Sequence, residues 1–419
     1  MLVVGSMVGT GIFTTSGILL RELGSPQAVL AAWVAGAVVA LCGAVSYAEL
    51  ASALPHNGGE YRLLGRIYHP ALGLTAALVS LLVGFSAPLA ASALAFGQHV
   101  AALVPGVPPR AAGLVLLAAA STAHAVHVGL GSRLQAATTT LEILLILAFI
   151  VLGGVRGDAS TWRGDAAALA AIASSSFAAP LVYVVFAYSG WNAAVYLAGE
   201  LGTPARTIPR ALLAGTLLVA ALYLGLTAVF LSAVPPDRLA GVIEVGHVAA
   251  VALLGPVGGS ALSALIALVL ASSVSALLMA GPRVYEQVGC DFPPLAVLAR
   301  RTRHGGPAMA VTVQAAAAAV LMTTASFEAL LRYVGFTLSV TTTLAVVGVL
   351  VLRWREPALP RPYRAWGYPV TPLLFAGTST WIVLGALRDT PASSWAGIGT
   401  LVGGLVLHVL LARRSGEAR

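Results

Sequence analysis

Two short polar clusters interrupt stretches that are otherwise apolar. Gly9-Thr10-Gly11 lies between Val8 and Ile12, and Tyr188-Ser189-Gly190 precedes Trp191 and Asn192. Glycine lowers the cost of leaving a helix, so each cluster is a place where the backbone can turn non-helical. A helix broken there exposes amide N–H groups at the start of its second half, an end whose partial positive charge suits a carboxylate. The first half ends in free carbonyls, which suit an ammonium group. Two such breaks face to face would hold a small zwitterion by backbone alone: a free amino acid or a similar amine acid. The alternative is packing, since Gly5 and Gly9 also form a GxxxG pair and small residues are common where membrane helices meet. A single cluster reads more simply as packing, whereas two in corresponding positions favour a site.

Composition decides what surrounds these clusters. Of 419 residues, 58% are hydrophobic and only 9% charged, against about 25% charged in soluble domains. Mean hydropathy is +0.92. Any soluble globule keeps a large exterior to solvate. A soluble enzyme, a nucleic-acid-binding protein and a disordered chain are therefore excluded, and the lipid bilayer is the expected partner. All 23 basic residues are Arg, which excludes Lys-dependent chemistry such as a Schiff base or a P-loop. The net charge of +8 reads as a bias of loop arginines. Cys42 and Cys290 form neither a disulfide framework nor a metal spacing. There is no GxSxG, HExxH or paired acidic cluster, and Gly9-Thr10-Gly11 lacks the βαβ context of a dinucleotide fingerprint. The expectation is no enzyme, no metal and no resident cofactor.

Crossing the hydrocarbon core takes about 20 apolar residues. Runs separated by Arg, Pro and Gly clusters give twelve candidate spans, at 1–20, 28–53, 71–104, 112–128, 134–154, 176–199, 211–233, 247–281, 311–326, 333–352, 370–387 and 396–412. The stretch 311–352 is too long for one span, and Glu328 and Arg332 mark a charged pair at a tight turn between two helices. The third run is overlong, so it should tilt or extend beyond the bilayer. With a cytoplasmic N-terminus, sixteen of the 23 arginines fall in inside loops, among them Arg133, Arg414 and Arg419, and the rest, such as Arg163, outside. That bias supports cytoplasmic N- and C-termini and an even number of spans. The apolar run before the first glycine cluster, Met1 to Val8, is short for half a crossing: either the true start lies upstream, which is the expectation, or the first helix is clipped.

Spans one and six carry the breaks, and each opens a block of five. Five is odd, so the second block is inverted in the membrane, and interrupted helices at matching places in inverted halves point to a transporter's substrate site.

Met7-Val8-Gly9-Thr10-Gly11-Ile12-Phe13 resembles the first-helix signature of the amino acid–polyamine–organocation superfamily. Tyr47-Ala48-Glu49-Leu50 with Gly58-Gly59-Glu60-Tyr61 resembles the end of its second helix and the following loop. Phe186-Ala187-Tyr188-Ser189-Gly190-Trp191-Asn192 resembles the sixth-helix motif of its L-type amino acid transporter branch. Glu200-Leu201, Pro204 and Ile208-Pro209-Arg210 match the loop after it. The resemblance implies an all-α integral membrane protein of twelve transmembrane helices. It implies a LeuT-type fold with inverted five-helix repeats at 1–154 and 176–352 and two additional helices at 370–412. It further implies transport of amino acids by alternating access. Carried over by position, Thr10 and Gly11 would hold the substrate carboxylate, with Gly9 at the break and Ile12 nearby. Carbonyls of Met7, Phe186, Ala187 and Ser189 would hold the ammonium group. Phe186 would be the aromatic gate, and Tyr188 and Trp191 could line the pocket.

The sharpest departure is Glu142, in mid-span five, where many members of the superfamily carry Lys. An ionisable group at that depth is costly and usually functional. It reads either as a proton-coupling carboxylate, or a group for a cation or cationic substrate, or as a neutral Glu hydrogen-bonded within the bundle. Ser272, Ser273 and Ser275 match hydroxyls that help form a sodium site in sodium-coupled proteins of this fold, the weaker alternative to proton coupling. His99, His124 and His127 lack a carboxylate or Cys pattern that would complete a metal site. Glu49, Glu60, Arg62, Arg133, Arg210 and Arg283 read as interfacial charge, with a salt-bridged inner gate as the alternative. Arg-rich 353–364 reads as positive-inside anchoring on anionic lipid. The expected function is a plasma-membrane amino acid permease, as proton symporter or exchanger. Transport of amines or polyamines, a channel and a membrane sensor are the alternatives, and oligomeric state stays open.

Overall fold

A computed structural model describes residues 1–126, 131–158, 166–200, 202–303 and 305–415. Every regular element among them is helical. The order is α1 (Leu2–Met7), α2 (Thr10–Leu23), α3 (Pro26–Ala53), α4 (Glu60–Ile67), α5 (Pro70–Val79), α6 (Ala87–Leu103), α7 (Pro109–Val126) and α8 (Gly131–Arg156). Then follow α9 (Ala166–Ala173), α10 (Leu181–Tyr188), α11 (Pro204–Ala233), α12 (Pro236–Leu239), α13 (Val245–Asp291), α14 (Ala308–Thr324), α15 (Phe327–Arg355), α16 (Val370–Asp389) and α17 (Pro391–Ser415). A π-helical turn, Ser80–Ser86, joins α5 to α6, and 3₁₀ turns cover Ala193–Glu200 and Pro293–Ala299. The expected positions of His127, Arg163, Leu201 and Arg419, and the side chains of Arg133 and Arg414, lie outside the described residues.

Local chemistry sets many of these ends. Pro26, Pro70 and Pro204 occupy first helical positions, where a missing N–H costs nothing. Gly24, at φ +67°, ends α2 in the left-handed conformation. Ser326 accepts from the Ala329 amide and starts α15. The short α4 buries Tyr61, Leu63, Leu64 and Ile67 and turns Arg62 and Arg66 outward.

Eight helices among the described residues are long and apolar enough to cross a membrane: α3, the continuous Pro70–Leu103 run, the Ala137–Arg156 part of α8, α11, α13, α15, α16 and most of α17. The other four expected stretches fall on the broken α1–α2, on α7, on α10 with its 3₁₀ continuation, and on α14. The overlong third run is one helix of 34 residues. The eighth differs from its expected 247–281: α13 runs from Val245 to Asp291 and kinks at Gly255, just before Pro256. The 311–352 stretch divides as expected, but at Ala325-Ser326. Glu328 and Arg332 therefore lie on the first turns of α15, with partners on other helices. Val115, Leu144, Val155, Leu268, Leu384 and Leu405 all face outward. That is the exterior of a protein solvated by hydrocarbon rather than water.

Both ends of the bundle are tied by charge. At the end where α2 stops, Arg21 pairs with Glu328 (2.8 Å) and Arg332 with Glu22 (2.9 Å), and Arg332 also donates to the Tyr183 hydroxyl. At the opposite end, Glu49 on α3 is buried, 2% exposed. It accepts from Arg353 at 2.9 and 2.7 Å and from the Ala365 amide at 2.6 Å, and it pairs with Arg361 at 3.3 Å. Arg353 in turn stacks over the Tyr368 ring, 3.7 Å from its centroid. Glu49 thus pins the 356–369 segment beneath α3. Removing it leaves two partly buried guanidinium groups without a counter-charge, which costs about 3–5 kcal/mol. Glu49→Ala is expected to lower the thermal midpoint in detergent sharply, read by tryptophan fluorescence, whereas Arg66→Ala, at an exposed pair with Glu356, should leave it almost unchanged.

Candidate functional site

The first break is built from α1 and α2. Val8 is extended (φ −70°, ψ 113°) and Gly9 more so (φ −174°, ψ −146°), so the chain leaves the helix for two residues and resumes at Thr10. Gly9 occupies the N-cap of α2 and no side chain caps that end. The first-turn amides, which no intrahelical carbonyl can satisfy, therefore open towards whatever lies in front of them. The second break follows α10. Ser189 turns out of the helix at φ −57°, ψ 150°, and Gly190 follows at φ +98°, a left-handed backbone that favours glycine.

The two breaks cross backbone to backbone. A Cβ on Gly11 would lie 2.4 Å from Ala187 Cα, and one on Gly190 would lie 2.4 Å from the Ser6 carbonyl oxygen. Neither neighbour is a side chain that can swing away, so both positions require glycine. Tyr223 on α11 closes the crossing from behind. Its hydroxyl lies 2.5 Å from the Met7 carbonyl and 3.2 Å from the Ala187 carbonyl, touching the last turn of each first half. Its ring packs on Trp33 and Tyr188.

A cavity of about 140 Å³ opens in front of the crossing. Met7, Gly9, Thr10, Gly11, Phe186, Ala187 and Ser189 line it, together with Tyr188, Trp191 and Asn192. Of the substrate-binding residues expected from the sequence, Ile12 is the exception: it is fully buried and absent from the lining. The Thr10 side chain turns away to Ser92 on α6 (2.7 Å). The Phe186 carbonyl accepts from the Ser189 amide at 2.9 Å. Further lining comes from Ser339 and Thr342 on α15, Phe375 and Ser379 on α16, and Phe85 in the π turn. Among the described residues no side chain with a formal charge lines this cavity.

Tyr223 had no sequence signal. It is a single aromatic inside an apolar run, and only the fold aims its hydroxyl at two unpaired carbonyls from distant segments. The hydroxyls of α15 and α16 were equally unreadable, because their facing depends on how those helices rotate against the breaks.

Glu142 lies outside this cavity. It is 3% exposed and borders a separate small apolar pocket with Phe13, Phe149 and Phe230. One carboxylate oxygen has no hydrogen-bond partner, and the group interacts with Ser272. The three serines of α13 part ways. Ser272 donates to Thr138 (2.9 Å), Ser273 reaches the Val8 carbonyl at the first break (3.4 Å), and Ser275 meets His124 (2.7 Å). His99 is buried, and among the described residues no cluster of three His, Cys, Asp or Glu could hold a metal. The interfacial charges also pair differently from a single inner gate. Glu49 takes Arg353 and Arg361, and Arg62 takes Asp291. Glu60 accepts from Tyr47 and Asn192.

Comparison with known proteins bears on the whole of this architecture. The chain is 26% identical to the serine/threonine exchanger SteT of Bacillus subtilis, over 96% of this chain and 92% of that protein. It is 28% identical to the large neutral amino acids transporter small subunit 2 of Rattus norvegicus, over 98% of this chain and 78% of that protein. It is 25% identical to the b(0,+)-type amino acid transporter 1 of Mus musculus, over 93% and 82%. The family model described as amino acid permease matches residues 1–407, both breaks included. The resemblance carried by the first- and sixth-helix motifs is thus borne out: this chain, a multi-pass membrane protein, belongs to the amino acid permease family of the amino acid–polyamine–organocation superfamily.

Proposed function

We propose that this protein is a secondary transporter that moves neutral amino acids across the plasma membrane by alternating access. The observation that carries the reading is the crossing of two broken helices, with an uncapped helix start, in front of a cavity without charged side chains. The N–H groups of Thr10 and Gly11 hold the substrate carboxylate at the positive end of α2. Backbone carbonyls at the ends of α1 and α10 hold the ammonium group, and Phe186 covers it. Tyr223 shares the Met7 and Ala187 carbonyls and keeps them aimed while the site is empty. A cationic side chain or a polyamine would need a carboxylate in the lining, because an unpaired charge pays the full desolvation penalty. The uncharged lining therefore favours neutral amino acids over amines.

The proposal includes a fold of twelve transmembrane helices, five plus five inverted and two more, with both termini cytoplasmic. In that frame the Arg21–Glu328 and Glu22–Arg332 pairs close the outer end. Outward opening separates α2 from α15 and breaks these pairs. For coupling we favour protons at Glu142 over sodium. Glu142 has a buried, unpartnered oxygen, and Ser272 beside it is chain neighbour to Ser273, which touches the Val8 carbonyl at the break. A proton gained or lost there acts on the first break through one turn of α13. Exchange against internal amino acid is the second reading, favoured by the exchanger among the relatives.

Two outcomes test the proposal in proteoliposomes. Gly11→Ala forces a methyl group onto the Ala187 backbone, and uptake of a labelled neutral amino acid panel is expected to fall by at least about 100-fold while the protein stays inserted. Wild-type uptake by that variant would remove the crossing from the mechanism. Glu142→Gln is expected to abolish uptake driven by an inward proton gradient while sparing exchange with internal amino acid. Unchanged pH dependence in that variant would eliminate Glu142 as the coupling group.

A further inference from the structure

Behind the central cavity lies a second one, about 450 Å³, at the end of the bundle that carries the α3–α4 turn. Arg283, Glu286, Gln287 and Cys290 of α13 line it, with Asn57 and His124. It is wide and half polar, unlike the central cavity. Tyr196, on the 3₁₀ continuation of the second broken helix, is the one residue shared by the two linings. Its ring stands edge-on to Phe85 (5.5 Å between centroids), and Phe85 in turn meets Tyr285. Among the described residues, the side chain that borders both spaces is therefore an aromatic one, held on an irregular segment.

The attachments of that segment are unequal. Three ties join it to the α3–α4 turn: the Gly199 amide to Asn57 (2.8 Å), the Gly58 amide to the Tyr196 carbonyl (3.4 Å), and Asn192 to Glu60. A fourth contact adds to them, Trp191 edge-on to Tyr47 at 4.8 Å. Towards Phe85 and Ser80 the described residues give it the ring contact and the Tyr196 hydroxyl, which interacts with both Ser80 and Glu60. The seam that opens more readily is thus the one along Phe85 and Ser80. Glu60 is 5% exposed. Its Oε1 accepts from Tyr47 and Asn192, while its buried Oε2 has no hydrogen-bond partner. The Tyr196 hydroxyl interacts with this carboxylate while its ring lies on Phe85, and losing a buried polar contact costs free energy.

We infer that Tyr196 is the barrier between the substrate cavity and the vestibule behind it, and that Glu60 is the positioning residue that holds Tyr196 in its closed placement. This deepens the transport reading and rests on it for the identity of what passes.

Native cysteines supply the test, because Cys42 is buried and Cys290 stands in the vestibule, in front of the barrier. Ala276→Cys places a thiol in the central cavity, behind it. The full chain in detergent is treated with a bulky hydrophilic maleimide, and both labelling rates are read from one sample by mass spectrometry. Tyr196→Ala and Glu60→Gln are each expected to raise the rate at position 276 by at least about five-fold, the population shift expected from a lost buried polar contact. The rate at Cys290 should not change. Should Tyr196→Ala fail to fold, Tyr196→Phe with Glu60→Gln carries the same comparison. Equal rates at position 276 in parent and variants overturn the barrier. Protection of the Ala276→Cys thiol by a neutral amino acid is read in parallel. Its absence alongside a raised rate in the variants would sink the amino acid reading and leave the barrier standing.

Discussion

A backbone that leaves the helix inside an apolar slab is tolerated only where it is buried in protein or lines a cavity, since lipid supplies no partners. Both breaks of this chain come to one such place. Gly11 lies against the backbone of Ala187, Gly190 lies against the Ser6 carbonyl, and Tyr223 reaches the ends of α1 and α10. Because no side chain stands between the two segments, four helix halves converge within hydrogen-bonding reach of one cavity. The rest of the bundle is arranged around that crossing, with α3, α11 and α13 packed against its flanks.

Such a site separates recognition from selectivity. In the proposed transport, backbone dipoles read what every amino acid shares, and they carry no net charge that must be neutralised when the site is empty. What differs between amino acids is left to α6, α15, α16 and Phe85, whose contribution is apolar surface and a few hydroxyls. Among the described residues the ion pairs stand apart, at the two ends of the bundle, and Glu142 is buried between them. In the proposed alternating access these pairs break and re-form without a charge entering the cavity.

Glu49 and Glu60 show how near neighbours in sequence can do different work. Glu49 is saturated by two arginines and an amide, a fastening for the 356–369 segment. Glu60 holds Tyr47 and Asn192 with one oxygen and leaves the other unmet.

The membrane character, the helical class and both breaks were legible in the sequence. They depend on local properties: apolar runs of sufficient length, glycine where a helix can be left, and arginine at the ends of spans. The residues of the breaks carried enough pattern to indicate the family, and of the expected substrate-binding residues all but Ile12 line the cavity. Its place one residue after the break says nothing about which side of α2 Ile12 occupies. The partners of Arg332 and Glu328 were missed for a similar reason, since they lie about 300 residues away in sequence, at Glu22 and Arg21. Tertiary structure alone decided how each helix is rotated and which distant segments touch. Hydropathy fixes that a helix spans, but side-chain packing against its neighbours sets its facing, and Tyr223 and Tyr196 acquire their positions only from that facing.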